Sequence, residues 1–593
     1  MVTSIAAVFP PHVLREYALL ADGERGALVG PRGDIAWMCA PRWHDDAVFA
    51  SLLGVESVYG VAPRDDRYVW GGRYEDGSLI WRGRWVTLDG IIECRDSLAF
   101  PGHEQRAVIL RRIQAVSGPA RVRVVLAPRA GFGRFGLSRL AKRDDLWTGR
   151  CGPLHLRWIG AGNAEAQDRG TLQLDVDLPA GAHHDLVLEL SPSSWEEPPG
   201  DPDVLWERTE HAWTSAVPPM DHTVADDDAR RSVAVLRGMT STSGAMVAAA
   251  TMSLPERARE GRSYDYRYAW IRDQCYAGQA AAVGGAPLLL DAAVRFVTER
   301  VLADGPQLSP AYTVLGTAVP DERNLDLPGY PGGRSIAGNW VTEQFQLDNF
   351  GEVLLLFAAA AGQDRLDLDH WKAVEQAVAA VQSRWQEPDS GIWELDPQRW
   401  THSRLMCAAG LRAIGAHAPA AQAARWSALA DDVVADVNRD CLHPSGRWQR
   451  SPEDERVDAA LLLPGLRGAL PAADPRTLAT VQAIRRELGR SGYVYRFRQE
   501  SRPLGEAEGA FLLCGFHMAM AVHEEGKPTE AARWFERSRA ACGAPGLFSE
   551  EYDVAQRQLR GNYPQAFVHA LLLESAQRLA GPAARGSVHG SQT

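Results

Sequence analysis

The chain has 593 residues, 45% of them hydrophobic and 23% charged, with a formal net charge of −12. That length exceeds one ordinary core and predicts two or more globular domains. The acidic balance argues against a nucleic-acid or anionic-membrane partner, since both demand basic surface. Nineteen Trp against fifteen Phe and fourteen Tyr supply unusually many flat faces for stacking. Eight scattered cysteines form no CxxC pair, so reduced thiols and a cytoplasmic location are expected, with no metal and no cofactor. The opening MVTSIAAVFPPH lacks a basic region and a long apolar core, so no signal peptide is expected. No apolar run, Leu354–Ala361 included, approaches the length of a membrane span.

In chain order, the first third reads as β. Leu172, Leu174, Val176 and Leu178 alternate with polar residues, and Leu186, Leu188 and Leu190 keep that period after Pro179-Ala180-Gly181. Val122 and Val124 mark a further alternating run. Short strands between Gly, Pro and Asp turns predict an antiparallel β-sandwich. The acidic, proline-rich Glu196–Asp203 is the best domain boundary. Beyond it the period becomes helical. Leu290, Val294, Val297 and Val301 share a face that Gly305 ends, and Val374, Val378, Val381 and Trp385 repeat the spacing. Pro528 and Thr529 open another helix, with Thr529 as N-cap and Gly543 as its end. A helical scaffold carrying functional loops at one end is the expectation. The expected divisions are a β domain over 1–200, a linker over 201–225, a helical domain over 226–580 and a disordered tail over 581–593.

Tyr264–Asp273, YDYRYAWIRD, joins aromatic faces to carboxylates and guanidinium groups, the chemistry of a sugar pocket. Two further loops set carboxylates beside aromatics: Gly391-Ile392-Trp393-Glu394, and Phe548-Ser549-Glu550-Glu551-Tyr552-Asp553. Glycoside hydrolysis needs one protonated carboxyl to serve the leaving oxygen and one ionised carboxylate as base or nucleophile. Burial against an indole such as Trp393 would suit Glu394 to the acid task. Glu550, beside Glu551, suits a polar site facing water. Taken alone, either glutamate reads as a surface carboxylate. His402 has no metal-ligand spacing around it, and GxSxG, GxGxxG and Walker loops are absent.

Together these motifs resemble glycoside hydrolase family 15, the glucoamylase and bacterial trehalase family. The ordered set is GDIAWMCAPRWHDDAVFASLLG from Gly33, SLPE from Ser253, YDYRYAWIRD, EQFQLDNFGEV from Glu343, and GIWE with THSRLMC. EGAFLLC from Glu508, SEEYD from Ser549 and GNYPQAF from Gly561 complete it. The resemblance implies a β-sandwich followed by an (α/α)6 catalytic barrel and inverting, exo-acting hydrolysis of an α-glucoside or oligosaccharide. It implies Glu394 as general acid and Glu550 as general base. Tyr266, Trp270, Arg272, Asp273 and Trp393 would line the pocket for the non-reducing-end glucose, with Glu551 adjoining. An inverting site sets its carboxyls roughly 6.5–9.5 Å apart.

Two departures concern the substrate. Leu395 stands where fungal glucoamylases carry a second carboxylate. The loop GYPGGRSIAGN, Gly329–Asn339, is one residue shorter than the trehalase-like GYRGSRPVRIGN and keeps Arg334 as its aglycone-side arginine. Trehalose, maltose, isomaltose and a glucosylated metabolite all stay open as substrates, and so does a homo-oligomeric state. Two other readings are an α-glucoside phosphorylase of related architecture and a sugar-binding protein without catalysis. The intact glutamate pair favours hydrolysis over both.

Overall fold

The computed structural model describes residues 9–168, 170–259, 261–499 and 502–582. Two antiparallel sheets make up the amino-terminal part. The first runs Ala18–Ala21, Gly26–Val29, Asp34–Cys39, Val58–Pro63, Ala120–Ala127, Thr171–Leu178, Glu165–Gln167, with Ala47–Phe49 paired to Asp34–Cys39. The second runs Leu137–Arg143, Leu146–Cys151, Leu154–Ile159, His183–Ser191, Ala107–Ser117, Ile91–Leu98, Trp81–Val86, Val69–Tyr74. The alternation at 172–178 is real: Leu172, Leu174 and Val176 are buried while Asp175 and Asp177 face solvent. In His183–Ser191 the last six residues are all buried, among them Glu189, which pairs with Arg106 and Arg157. The sheets meet through polar as well as apolar contacts. Trp158 donates its indole N–H to the Tyr59 hydroxyl at 3.0 Å, and fully buried Arg111 donates to the carbonyls of Tyr59 and Gly33, each at 2.7 Å.

The segment expected as a linker contains the helix Pro202–Ala216. Asp201 caps it by accepting from the N–H groups of Asp203 and Val204. Helices then fall into two kinds. Ile271–Gly284, Asp348–Ala361, Thr401–Gly415, Leu463–Leu466, Leu512–Glu524 and Ala566–Ala580 pack each on the next and the last on the first. The five long ones are buried almost all round, as a helix surrounded by protein must be. Asp226–Gly238, Pro287–Asp304, Leu368–Arg384, Ala420–Cys441, Pro475–Glu487 and Pro528–Arg539 lie outside them; the last five bury only a stripe, while the first is buried through most of its second half. Within Asp348–Ala361 the side chains of Val353, Leu354, Leu356 and Phe357 are fully buried, each worth roughly 1.5–3 kcal/mol over exposure. Gly351 lets this helix touch its neighbour, since a Cβ there would stand 2.5 Å from the Met406 carbonyl.

The expected faces at 290–301 and 374–381 are buried in Pro287–Asp304 and Leu368–Arg384, with Gly305 and Trp385 at the caps. The last outer helix differs from expectation. It begins at Pro528, whose ring fixes a helical φ, so Thr529 already lies inside the first turn and Lys527 is the N-cap. It ends at Arg539. Gly543 serves a close approach instead, because a Cβ there would collide with the Arg15 carbonyl at 1.9 Å. No helix among the described residues is long and apolar enough to cross a membrane. All eight cysteines are free thiols, seven of them buried. The tail expected to be disordered lies outside the described residues from 583 onward.

Candidate active site

Tyr264–Asp273 gains two jobs from extended geometry, because neighbouring side chains in an extended chain face opposite ways. Asp265 and Arg267 point to the seam with the β domain. They pair at 2.6 Å, almost fully buried, and Arg267 Nη1 donates to the Asp45 carbonyl at 2.7 Å. Asp265 also accepts from the Gly338 N–H at 3.0 Å, which fixes the end of the Gly329–Asn339 loop. Tyr264, Tyr266 and Trp270 point the other way and line a cavity of about 790 Å3. The two tyrosine rings stack with centroids 6.1 Å apart, and Trp270 meets Tyr266 edge-on at 5.4 Å. The volume is that of a small-ligand site.

Arg272 and Asp273 open the helix Ile271–Gly284 at the cavity floor. Arg272 donates to Gln346 Oε1 at 2.6 Å, stands 3.5 Å from Asp348 Oδ2, and reaches Glu394 Oε1 at 3.5 Å. Burial, with the Glu394 charge, raises the Asp273 carboxyl to about 7 against the lowering effect of Arg272. Its Oδ1 is buried without a protein hydrogen-bond partner.

Glu394 rides on a tight turn that Asp389 organises. Asp389 Oδ2 accepts from Leu347 N–H at 3.1 Å, Gly391 N–H at 2.9 Å and Ser403 Oγ at 2.8 Å. Gly391 adopts φ 64° under the Trp400 ring, where a Cβ would come within 2.8 Å of ring carbon. Glu394 itself sits at φ 55°, a left-handed conformation costing a non-glycine residue about 1 kcal/mol or more. Trp270 Nε1 donates to Glu394 Oε1 at 2.8 Å. The indole bonded to Glu394 is therefore that of Trp270. Trp393 lines the cavity but turns its N–H to Asp458 Oδ1 at 2.7 Å, and the Glu394 side chain keeps 23% of its surface exposed.

Glu550 enters from the other side, ahead of the short strand Glu551–Asp553. Only 8% exposed, it is not the water-facing carboxylate expected from its polar neighbours. Burial pushes its carboxyl well above the usual range, and the charges of Glu256, Asp273 and Glu394 add to this while Arg496 opposes it. Its Oε2 has no protein partner.

Glu394, Glu550, Tyr266, Trp270, Arg272, Asp273 and Trp393 thus come together around one cavity. Two expected binding residues do not line it. Glu551 is fully buried and accepts from the Gly509 N–H at 2.7 Å, tying strand to strand. Arg334 is exposed, and its guanidinium lies against Gly261 outside the cavity lining. The cavity also includes Glu256, Arg450 and Arg496. Glu256 stands in the SLPE motif. Nothing local marks the two arginines, which reach the site through tertiary folding alone.

A family model described as Glycosyl hydrolases family 15 matches residues 229–577. The chain belongs to that family. A second model, Trehalase-like, N-terminal, matches residues 10–197 of this family 15 glycoside hydrolase. Over 96% of its length it is 30% identical to the trehalase of Mycobacterium tuberculosis, covering 89% of that relative. Trehalase 1 of Sulfolobus acidocaldarius is 31% identical, with 96% of this chain and 99% of the relative covered. Among solved structures, a bacterial glucoamylase complexed with acarbose superposes with a TM-score of 0.65. That match covers 96% of this chain and 95% of the other at 14% identity, a likeness of fold alone.

Proposed function

We propose that this hydrolase is an inverting, exo-acting α-glucosidase, a β-sandwich joined to an (α/α)6 barrel, with trehalose the leading substrate. The closed succession of buried helices, the five long ones each backed by an outer one, supports the barrel. The observation that carries the chemistry is Glu394 and Glu550 on one cavity, differently held. Glu394 is bonded through one oxygen to Trp270, leaving the other for a proton. Glu550 is buried with an unpartnered oxygen.

In the proposed reaction Glu394 gives its proton to the glycosidic oxygen as the C1–O bond breaks. Glu550 takes a proton from the water that attacks C1 from the opposite face, so an α-glucoside yields β-glucose. Trp270 and Arg272 stabilise the carboxylate that forms on Glu394. Asp273, whose Oδ1 lacks a protein partner, accepts from a hydroxyl of the terminal glucose, and Tyr266, Trp270 and Trp393 cover its C–H faces. Arg272, anchored to Gln346 and Asp348, closes the floor, so only a chain end enters. Trehalose leads because relatives named trehalase align over nearly the whole chain. Leu395, on the cavity lining, marks the wall where the leaving group is chosen. Glucose release from trehalose, maltose, isomaltose and kojibiose, with and without phosphate, tests the assignment. Trehalose turnover independent of phosphate is expected; no release from any of the four, or an absolute phosphate requirement, overturns it.

A further inference from the structure

Glu256 is a cavity carboxylate for which the reaction above has no task. It is 5% exposed and lies on the loop 253–259. That loop is fixed firmly. Ser253 holds φ 63°, and its Oγ donates to the Ile336 carbonyl and accepts from the Ile336 N–H, both at 2.7 Å. Glu256 N–H donates to the Arg262 carbonyl at 3.1 Å, and Gly561 N–H donates to the Pro255 carbonyl at 3.0 Å. Gly561 lies between the two acids. A Cβ on it would stand 3.6 Å from Glu256 Cγ and 4.0 Å from Glu550 Oε2.

The other charges around Glu550 are already committed. Asp273 and Glu394 face Arg272, while Glu551 accepts from Gly509. Arg496 is held by Glu508 at 2.6 Å. Arg262, nearer solvent, stands 3.4 Å from Glu508 and 3.7 Å from Glu256. Glu256 therefore lies beside Glu550 with its charge only partly neutralised. Burial raises the Glu256 carboxyl while Arg496 and Arg262 favour its ionised form, and the Glu256 charge in turn adds to the burial that raises Glu550.

We propose that Glu256 is a positioning residue for the general base, its carboxylate held against Glu550 across Gly561 so that Glu550 accepts the proton from water more strongly. This rests on Glu550 being that base. A carboxylate beside Glu550 disfavours its ionised form, so removing the Glu256 charge moves its titration downward.

Carbon-13 NMR of the glutamate carboxyls, assigned with Glu550→Gln, reads this without turnover. In Glu256→Gln the Glu550 signal should titrate about one pH unit or more lower. The acidic limb of kcat/KM should move down with it, and plateau kcat should fall about tenfold as the base weakens. Glu256→Asp, which keeps the charge, should retain the native limb. Should Glu256→Gln not fold, Arg262→Gln exposes more of the Glu256 charge and should move the Glu550 titration upward. A Glu550 titration unmoved in the folded variant overturns the proposal. A moved titration in an enzyme that releases no glucose from any α-glucoside overturns the hydrolase reading instead, leaving the coupling intact.

Discussion

Trp270→Phe separates the indole's two contributions. The phenyl ring keeps an apolar wall against Tyr266, while the donor to Glu394 Oε1 at 2.8 Å is lost. A hydrogen bond to a charged group is worth about 1.5–3 kcal/mol. In the proposed reaction Glu394 acquires its charge as it protonates the leaving oxygen, so the bond matters most in the transition state and its loss should appear in kcat. The full range corresponds to a fall of about 10- to 150-fold. Arg272 reaches the same oxygen at 3.5 Å and offsets part of the loss, which places the expectation near the lower end, about 10- to 30-fold. KM should change little. Steady-state glucose release on the best substrate, with a thermal melt to confirm the fold, provides the assay. A kcat within about threefold of native would refute the reasoning, because Glu394 would then gain no charge at the transition state.

Three further outcomes follow from the same geometry. The proposed general base works ionised, and burial holds the Glu550 carboxyl well above the usual range, so kcat/KM should fall on the acid side with a midpoint well above 4.5; an acidic limb at or below 4.5 contradicts this. Arg267→Met leaves Asp265 buried without its cation and should destabilise the chain by about 3–5 kcal/mol in denaturant melts, with limited proteolysis exposing the seam between the β and helical parts; an unchanged melt contradicts this. Glu574 is fully buried, yet Arg467 and Arg578 overcome the burial and hold its carboxyl down to about 2. Its contribution is therefore complete above 4.5 and lost as pH falls toward 2, so the Tm gap between native and Glu574→Gln should close over that window; a gap that widens there contradicts it.

The aromatic and charged content of Tyr264–Asp273 was legible as a pocket lining, but its second face was not. Asp265 and Arg267 look like further pocket charges until the β domain arrives beneath them. The carboxylates were legible as candidates because Glu394 and Glu550 sit beside aromatics, yet their surroundings depend on residues more than a hundred positions away. Trp270, rather than its sequence neighbour Trp393, bonds Glu394. Glu551 misled because adjacent residues entering a strand face opposite sides, and only one can reach the cavity. Arg334 was carried by the resemblance of its loop, and the shortened loop leaves it exposed. Thr529 and Gly543 obeyed capping preferences that Pro528 and the Arg15 carbonyl overrode. Arg450 and Arg496 had no local signal at all, since isolated arginines acquire meaning only from the acids and rings they meet.

The central claim is that Glu394 and Glu550 act as an acid and base pair across a single displacement. Proton NMR of the first product formed from an α-glucoside tests it most directly, before mutarotation mixes the anomers. The account predicts β-glucose from the native enzyme, and kcat lowered by orders of magnitude in Glu394→Gln and Glu550→Gln with the fold intact. Initial α-glucose, or near-native turnover in either variant, would contradict it.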